Sequence, residues 1–476
     1  MSSRLAQCAS MYPAVREGVS FHVYPDHRVS INSEKHGTRA LTWDAWQVYQ
    51  LADGTRTVDE MVGSLSRTWQ IGHPDELLLF CAEAEAEGYL DLGPTARPRS
   101  IEVVGSDELW FPERALIELT NRCNLRCQYC YASCGPQNSH DLRTDNLEWL
   151  FSLMRTGGVR AVELSGGEPT IHPDFQEILE SALRTFDLVG LLTNGAHLAP
   201  EVFQLMEAYK HKLFVQVSVD GSNEQVNAAV RGTKGTFGGT LQTITELVNR
   251  SIPIRVGFVV TPDNQADLSA TCELMREVGV RHLVITMPDG IGRGAGFTQG
   301  VYSRTNPCWG EAVDLMTQAF TQHSDIIINP AMEHMREEIK RIDGCHAGCT
   351  NYVIDPNGDV KPCPLLPASA GTLGNVSRDD YASIFNDTPL ARCCQSFSVP
   401  TPEPACQGCK YEVYCGKCMA RVFLANKNRL AEGEGLCPIA RRSGLAEGYN
   451  FDADVLFKID LSPVESPREG EQDGVG

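Results

Sequence analysis

Residues 115–135 read ALIELTNRCNLRCQYCYASCG. Ala115–Thr120 is a short apolar run of the kind that forms a buried strand, and it passes straight into a loop bearing Cys123, Cys127, Cys130 and Cys134. Five further apolar runs follow: AVELSGG from Ala161, LVGLLTNG from Leu188, LFVQVSVDG from Leu213, IRVGFVV from Ile254 and HLVITMP from His282. Helical spacers such as NLEWLFSLMRT and PDFQEILESALRTF separate them. This alternation predicts an α/β fold with a parallel sheet, curled into a barrel or part of one. Chemistry in such a sheet sits at the C-terminal strand ends. The polar punctuation falls there: TNRCNLRC, SGGEP, TNG, SVDG and PDGIGRG.

The chain has 476 residues, enough for two to four domains. No run approaches the length of a membrane span, and the N-terminus lacks a basic-then-apolar signal pattern. A cytoplasmic protein with no membrane partner is expected. The net charge of −20 argues against nucleic acid. Eighteen cysteines in a chain with no export signal do not read as disulfides. Most of them clump at 123–134, 345–363 and 393–437, which suggests metal or cluster ligation.

Residues 1–96 read as a small unit. VSFHVYP, HRVSIN and TRALTWD alternate like strands, and LTWDAWQVYQLADG looks helical. Thr57 and Glu60 have capping-box spacing at the start of a second helix, and HPDELLLFCAEAEAEGYL is a third. Residues 97–112 read as a linker dotted with proline and glycine, 113–340 as the α/β core and 341–463 as a cysteine-rich region. The tail 464–476 has a disordered composition.

Cys123, Cys127 and Cys130 are separated by three and then two residues. Three thiolates can hold three irons of a [4Fe–4S] cube and leave the fourth iron open, unlike a four-cysteine electron-transfer cluster. A zinc site usually takes four ligands, and Cys134 would supply the fourth. At the end of the next run stands SGGEP, Ser165–Pro169. Its glycines allow backbone to approach a ligand closely, and Glu168 can accept hydrogen bonds from an ammonium group.

Taken together, these residues resemble the radical S-adenosylmethionine (SAM) enzymes. Their CxxxCxxC loop is similar to Cys123, Cys127 and Cys130, with Tyr129 as the usual aromatic before the last cysteine. Their GGE motif, which holds the methionine amino group, is similar to Gly166, Gly167 and Glu168. Ser218–Gly221, with Ser218 and Asp220, resembles the segment near the ribose and carboxylate, and GIGRG around Arg293 resembles the one near the adenine. The resemblance implies a partial (β/α)6 barrel. It also implies a cluster whose open iron chelates SAM, and a 5′-deoxyadenosyl radical that takes a substrate hydrogen.

The C-terminal cysteines resemble the SPASM extension of peptide-modifying members, which carries two auxiliary [4Fe–4S] clusters and brings the total to three. By position the first would use Cys345, Cys349, Cys363 and Cys418, and the second Cys406, Cys409, Cys415 and Cys437. The family usually has three residues between the last pair of the central run, whereas CGKC has two. Zinc ribbons are the competing reading, since CQGC and CGKC are knuckle-like pairs. Cys134, Cys393 and Cys394 are left over. The N-terminal unit resembles the PqqD-like peptide recognition element, a winged helix of three strands and three helices. There a leader peptide adds a strand to the sheet edge, here near Thr38–Trp43 and the helix over 74–88. A DNA-binding winged helix is disfavoured by 7 Lys+Arg against 13 Asp+Glu in residues 1–95.

The expected function is radical modification of a ribosomally made precursor peptide or small protein, forming a thioether or carbon–carbon crosslink. A flavodoxin- or ferredoxin-type reductant is the expected electron donor. The alternatives are a sulfatase-maturase-like side-chain oxidase, in whose family an aspartate follows the Gly-x4-Cys cysteine where this chain has Pro364, a peptide epimerase, or a non-enzymatic iron–sulfur or zinc protein. One specific resemblance is to the enzyme that crosslinks the small subunit of quinohemoprotein amine dehydrogenase.

Overall fold

The computed structural model describes residues 8–33, 35–65, 74–288, 291–294, 307–327, 346–366, 371–398 and 419–420. The chain divides into two compact units, 1–111 and 112–476.

In the first unit, β2 (Ser20–Val23), β3 (Val29–Ser33) and β4 (Gly37–Leu41) form an antiparallel meander. Helices α1 (Trp43–Leu51), α2 (Val58–Leu65) and α3 (Pro74–Glu87) follow as expected. Thr42 caps α1 by accepting from Ala45 N at 3.2 Å. The Thr57–Glu60 capping box closes reciprocally, at 2.8 and 3.3 Å. Phe21 anchors the core, with Trp46 and Tyr49 rings 4.8 and 5.0 Å from its own.

Two expectations fail here. The unit has more than three strands, because β1 (Tyr12–Val15) pairs antiparallel with β5 (Leu90–Gly93). The expected linker 97–112 is also not free chain, because its β6 (Glu102–Gly105) lies parallel to β2 and completes a four-stranded sheet of order β4-β3-β2-β6. Val103 is 45% exposed, so β6 is an edge strand held by backbone pairing, and its sequence shows little apolar periodicity.

The second unit is built on β7 (Arg114–Thr120), β8 (Ala161–Gly166), β9 (Leu188–Thr193), β10 (Leu213–Ser218), β11 (Ile254–Val259) and β12 (Leu283–Thr286). All six lie parallel in chain order. The crossovers hold α4 (Leu147–Thr156), α5 (Phe175–Thr185), α6 (Pro200–Ala208), α7 (Glu224–Arg231), α8 (Phe237–Asn249) and α9 (Leu268–Val278), and α10 (Pro307–Gln322) follows β12. Ile117, Leu164, Val189, Leu191, Val215, Val217, Val256 and Phe258 are buried at 0–1% and face the helices. With a period of two, the opposite face carries Glu118, Glu163, Gln216, Ser218 and Arg255. That face is mixed, since it also carries Leu116, Leu192 and Phe214.

The C-terminal region is not a separate layer. Its first strand, β13 (Asn351–Ile354), runs parallel to β7, and β14 (Asp359–Lys361) and β15 (Gly374–Asn375) continue outward, making one nine-stranded sheet. Helices α11 (Tyr381–Asn386) and α12 (Pro389–Ser398) follow. Among the described residues no helix is long and apolar enough to cross a membrane.

Candidate active site

The loop after β7 is folded onto itself and clamped from two directions. Its ends are tied by Arg122, which holds Asp141 in a two-pronged contact at 2.9 and 2.7 Å, and by Cys123 N donating to Gly135 O. The C-terminal end of α7 takes two loop amides, Arg126 N on Arg231 O and Gln128 N on Val230 O. From the other direction comes Gly292–Gly294. Arg293 donates from its backbone N to Cys130 O, from Nε to Cys127 O at 2.8 Å and from Nη2 to Cys134 O at 2.8 Å. Gly292 has φ +59°, and a Cβ there would lie 2.2 Å from Tyr131 O. Arg293, expected near the adenine, thus spends its side chain on the cysteine loop.

The loop brings all four thiols together. Cys123 and Cys134 are buried, Cys127 and Cys130 half-buried, and none forms a disulfide. Leu125 N points at Cys123 Sγ from 3.4 Å. Cys134, left over in the sequence reading, sits against Cys130, and this contact lowers the Cys130 thiol's pKa, with burial opposing and Arg293 assisting. Burial pushes Cys123 up to about 12 and raises Cys127, against the nearby Arg231.

SGGEP ends β8 against the start of this loop. Gly167 N donates to Thr120 O and Glu168 N to Arg122 O. A Cβ on Gly167 would lie 2.0 Å from Arg122 O. The expected close approach is therefore one of backbone to backbone. Glu168 is 1% exposed. Its Oε1 accepts from Thr170 N, Thr170 Oγ1 and Thr193 Oγ1, and its Oε2 from Asn194 N at 2.7 Å. Burial nonetheless raises its pKa above the ordinary carboxylate value.

Ser218 closes β10, half-buried and on the interior face. Asp220, expected beside ribose and carboxylate, is fully buried and its carboxylate is consumed by protein groups. Tyr129 OH donates to Oδ2 at 2.6 Å, and Val259 N donates to Oδ1 at 2.9 Å. Arg231 Nε pairs with Oδ2 at 2.7 Å, while its Nη2 is buried with no hydrogen-bond partner among the described residues. Asp220 is thus a scaffold for Arg231 and for the aromatic residue preceding Cys130. Neither Arg231 nor the threonine donors to Glu168 stand out in the sequence, because each matters only through a long-range contact.

The residues present fit an iron–sulfur cluster with SAM. The buried Arg231 guanidinium acts on Cys127, and Arg293 on both Cys127 and Cys130, positive charges suited to an anionic centre, and Glu168 is a buried carboxylate suited to an ammonium. In the C-terminal region, Cys349 is buried and Cys363 is half-buried after β14. Cys393 and Cys394 are buried on α12, and Cys394 would meet a Cβ placed on Gly348 at 2.7 Å. Cys345, Cys406, Cys409, Cys415, Cys418 and Cys437 lie outside the described residues.

A model of the radical SAM superfamily matches residues 117–286, and one of an iron–sulfur cluster-binding domain, SPASM, matches 345–410. The mycofactocin maturase MftC of Mycobacterium ulcerans is 30% identical over 337 residues, covering 69% of this chain and 88% of that one. The chain belongs to the radical SAM superfamily. It is an enzyme of the SPASM-bearing branch, which binds SAM, a [4Fe–4S] cluster in the barrel and auxiliary clusters in the C-terminal region. The subtilosin biosynthesis protein AlbA of Bacillus subtilis is 28% identical over 432 residues, covering 88% and 94% of the two chains. Among solved structures, SuiB of Streptococcus suis bound to S-adenosylmethionine shares the fold at a TM-score of 0.60 and 15% identity, covering 86% and 96%.

Proposed function

We propose that this radical SAM enzyme matures a ribosomally made precursor peptide or small protein, forming a thioether or carbon–carbon crosslink within it. The observation that carries this reading is a strand edge of the first unit that no other strand covers among the described residues. Strand β4 ends its sheet, and the turn leading into it is pinned to the end of α3, with Lys35 Nζ and His36 Nε2 on Glu87 O at 3.3 and 2.8 Å. An edge strand beside a helix is the surface on which an extended leader segment adds by backbone pairing. This supports a PqqD-like recognition role for residues 1–96. The names of the relatives agree: AlbA acts in bacteriocin biosynthesis, MftC is a mycofactocin maturase, and SkfB of Bacillus subtilis matures the sporulation killing factor. SuiB is also known with its precursor peptide SuiA, a structure matched at a TM-score of 0.55.

In this reading Cys123, Cys127 and Cys130 hold the barrel cluster, and Glu168, Gly166 and Gly167 take the methionine end of SAM. Ser218 faces the ribose side, and Arg293 fixes the loop. Bound together, cluster and SAM supply a 5′-deoxyadenosyl radical that removes a substrate hydrogen. The chain orients the peptide in the barrel interior and excludes side reactions. Cys345, Cys349, Cys363 and Cys418 hold the first auxiliary cluster, and Cys406, Cys409, Cys415 and Cys437 the second. A flavodoxin- or ferredoxin-type partner supplies the electron. Pro364 after Cys363, where a sulfatase-type maturase carries its aspartate, argues for crosslinking over side-chain oxidation.

The test is anaerobic incubation of reconstituted enzyme with precursor peptides encoded nearby. Loss of two hydrogens, with fragment ions that map a linkage between two residues, supports the reading. Loss confined to one residue points to oxidation, and solvent deuterium gained without other change points to epimerisation. Peptide lacking its leader should react at least about tenfold less efficiently. Equal efficiency would remove the recognition role.

A further inference from the structure

Inside the barrel one carboxylate joins two cysteine-bearing segments. Glu118 lies on the interior face of β7, in register with Ser165, the residue before the GGE motif. Its Oε2 is 2.9 Å from Lys361 Nζ, and its Oε1 accepts from Tyr131 OH at 3.1 Å. Glu118 and Lys361 are only 5% and 8% exposed. Tyr131 adjoins Cys130, and Lys361 stands two residues before Cys363.

Backbone pairing restrains this end of β14 weakly. The strand has three residues and two rungs on β13, Val353↔Lys361 and Ile354↔Val360. Pro362 follows and has no N–H with which to extend the ladder. β15 pairs only with Asp359 and Val360, so the side chain of Lys361, reaching past β13 to β7, is a restraint on where the chain leaves the sheet toward Cys363. An apolar pair would hold two strands together equally well, since burying two charges costs much of what their attraction returns. A directional ion pair adds a fixed register that apolar packing does not impose.

We propose that Glu118 is a positioning residue. It fixes the segments of Cys130 and Cys363 against one wall of the barrel, and so sets the spacing between the barrel cluster and the first auxiliary cluster. This rests on Cys363 being an auxiliary ligand, the reading given above. Displacements of about 1 Å are enough to cost large factors in a geometry-dependent reaction, so the spacing should govern how often radical formation leads to product.

The experiment compares Glu118→Gln, Lys361→Met, Tyr131→Phe and the charge swap E118K/K361E with the parent enzyme, all reconstituted. Iron content, deoxyadenosine, modified peptide and the electron paramagnetic resonance of the fully reduced clusters are measured. We expect Glu118→Gln and Lys361→Met to lower modified peptide per deoxyadenosine at least about tenfold and to change the spin–spin broadening between clusters. Tyr131→Phe, which removes a single hydroxyl, should move both readouts the same way by a smaller factor. The swap should recover part of the loss, as a direct pair interaction requires. Unchanged product ratio and unchanged spectra in both charge variants would overturn the proposal. If those two variants lose iron, an unaffected Tyr131→Phe with no recovery in the swap overturns it as well. A Cys363→Ala enzyme that keeps its full iron would instead remove the ligand reading, and the proposal with it.

Discussion

Glu168 is a charged group held ready in a place that disfavours charge. Four donors from three residues meet its two oxygens, yet burial still raises its pKa. A carboxylate offers about four acceptor positions, and Oε2 uses one of them here, for Asn194 N. In the proposed function the remaining position takes the SAM ammonium, whose charge would offset the burial. A Glu168→Gln side chain must set an N–H against one of these donors, which leaves a buried donor unpaired at about 1–3 kcal/mol. SAM affinity should therefore fall about tenfold or more, with iron content unchanged, as read by titration of the anaerobic protein. The pH sign follows from the same group. Protonated Glu168 cannot receive an ammonium, so SAM binding should weaken as pH falls through its raised pKa, and the Gln variant should lose that dependence. Cys127→Ala should abolish deoxyadenosine formation, and undiminished SAM cleavage with the other clusters intact would refute the ligand assignment. Asp220 and Arg231 make a structural contrast. Removing the guanidinium in Arg231→Met strands a fully buried carboxylate, expected to cost about 3–5 kcal/mol and to appear as a lower melting temperature.

At the scale of elements, the site depends on how closely β8 can end against the cysteine loop. Gly167→Ala puts a Cβ 2.0 Å from Arg122 O, and neither backbone can yield without breaking the Glu168 N–Arg122 O bond. Iron should drop by about a third, one cluster of three, with auxiliary iron retained. Full iron and normal SAM cleavage would show that the loop adapts. What sequence could reveal follows the same division. All six barrel strands and their order were legible, because Ile117, Leu164, Val215 and Phe258 belong to short apolar runs bounded by turn residues. The cysteine loop and SGGEP were legible because their spacing is local. Strand β6 was not, since Glu102–Gly105 reads like linker and is strand only because β2 offers an edge. Nor were the partners of Asp220 and Arg293: the resemblance put both beside SAM, whereas each meets protein groups that lie far along the chain. Cys134 shows the limit most clearly, because only the folded loop sets its thiol against Cys130.

At the scale of the second unit, the barrel and the C-terminal region are mechanically one object. Strand β13 pairs with β7 over four successive residues, Asn351↔Arg114 to Ile354↔Ile117, so β7 is an interior strand of the nine-stranded sheet. The sequence suggested a boundary near residue 340, since apolar periodicity fades there, but parallel pairing between segments so far apart has no local signature. Ending the chain at 340 would expose the β7 edge, a row of unpaired backbone groups that templates aggregation. It would also leave Glu118 buried without Lys361, a second penalty of about 3–5 kcal/mol. Both penalties fall on the strand that carries the cysteine loop. A 1–340 protein should therefore be poorly soluble and unable to hold even the barrel cluster, although it retains Cys123, Cys127 and Cys130. In the intact chain, heating should melt β7–β15 in one cooperative transition. Limited proteolysis gives the decisive comparison: a stable fragment ending near 340 that binds iron and SAM would show that the sheet is two independent parts, whereas joint protection of β7 and β13 until global unfolding is the expected result.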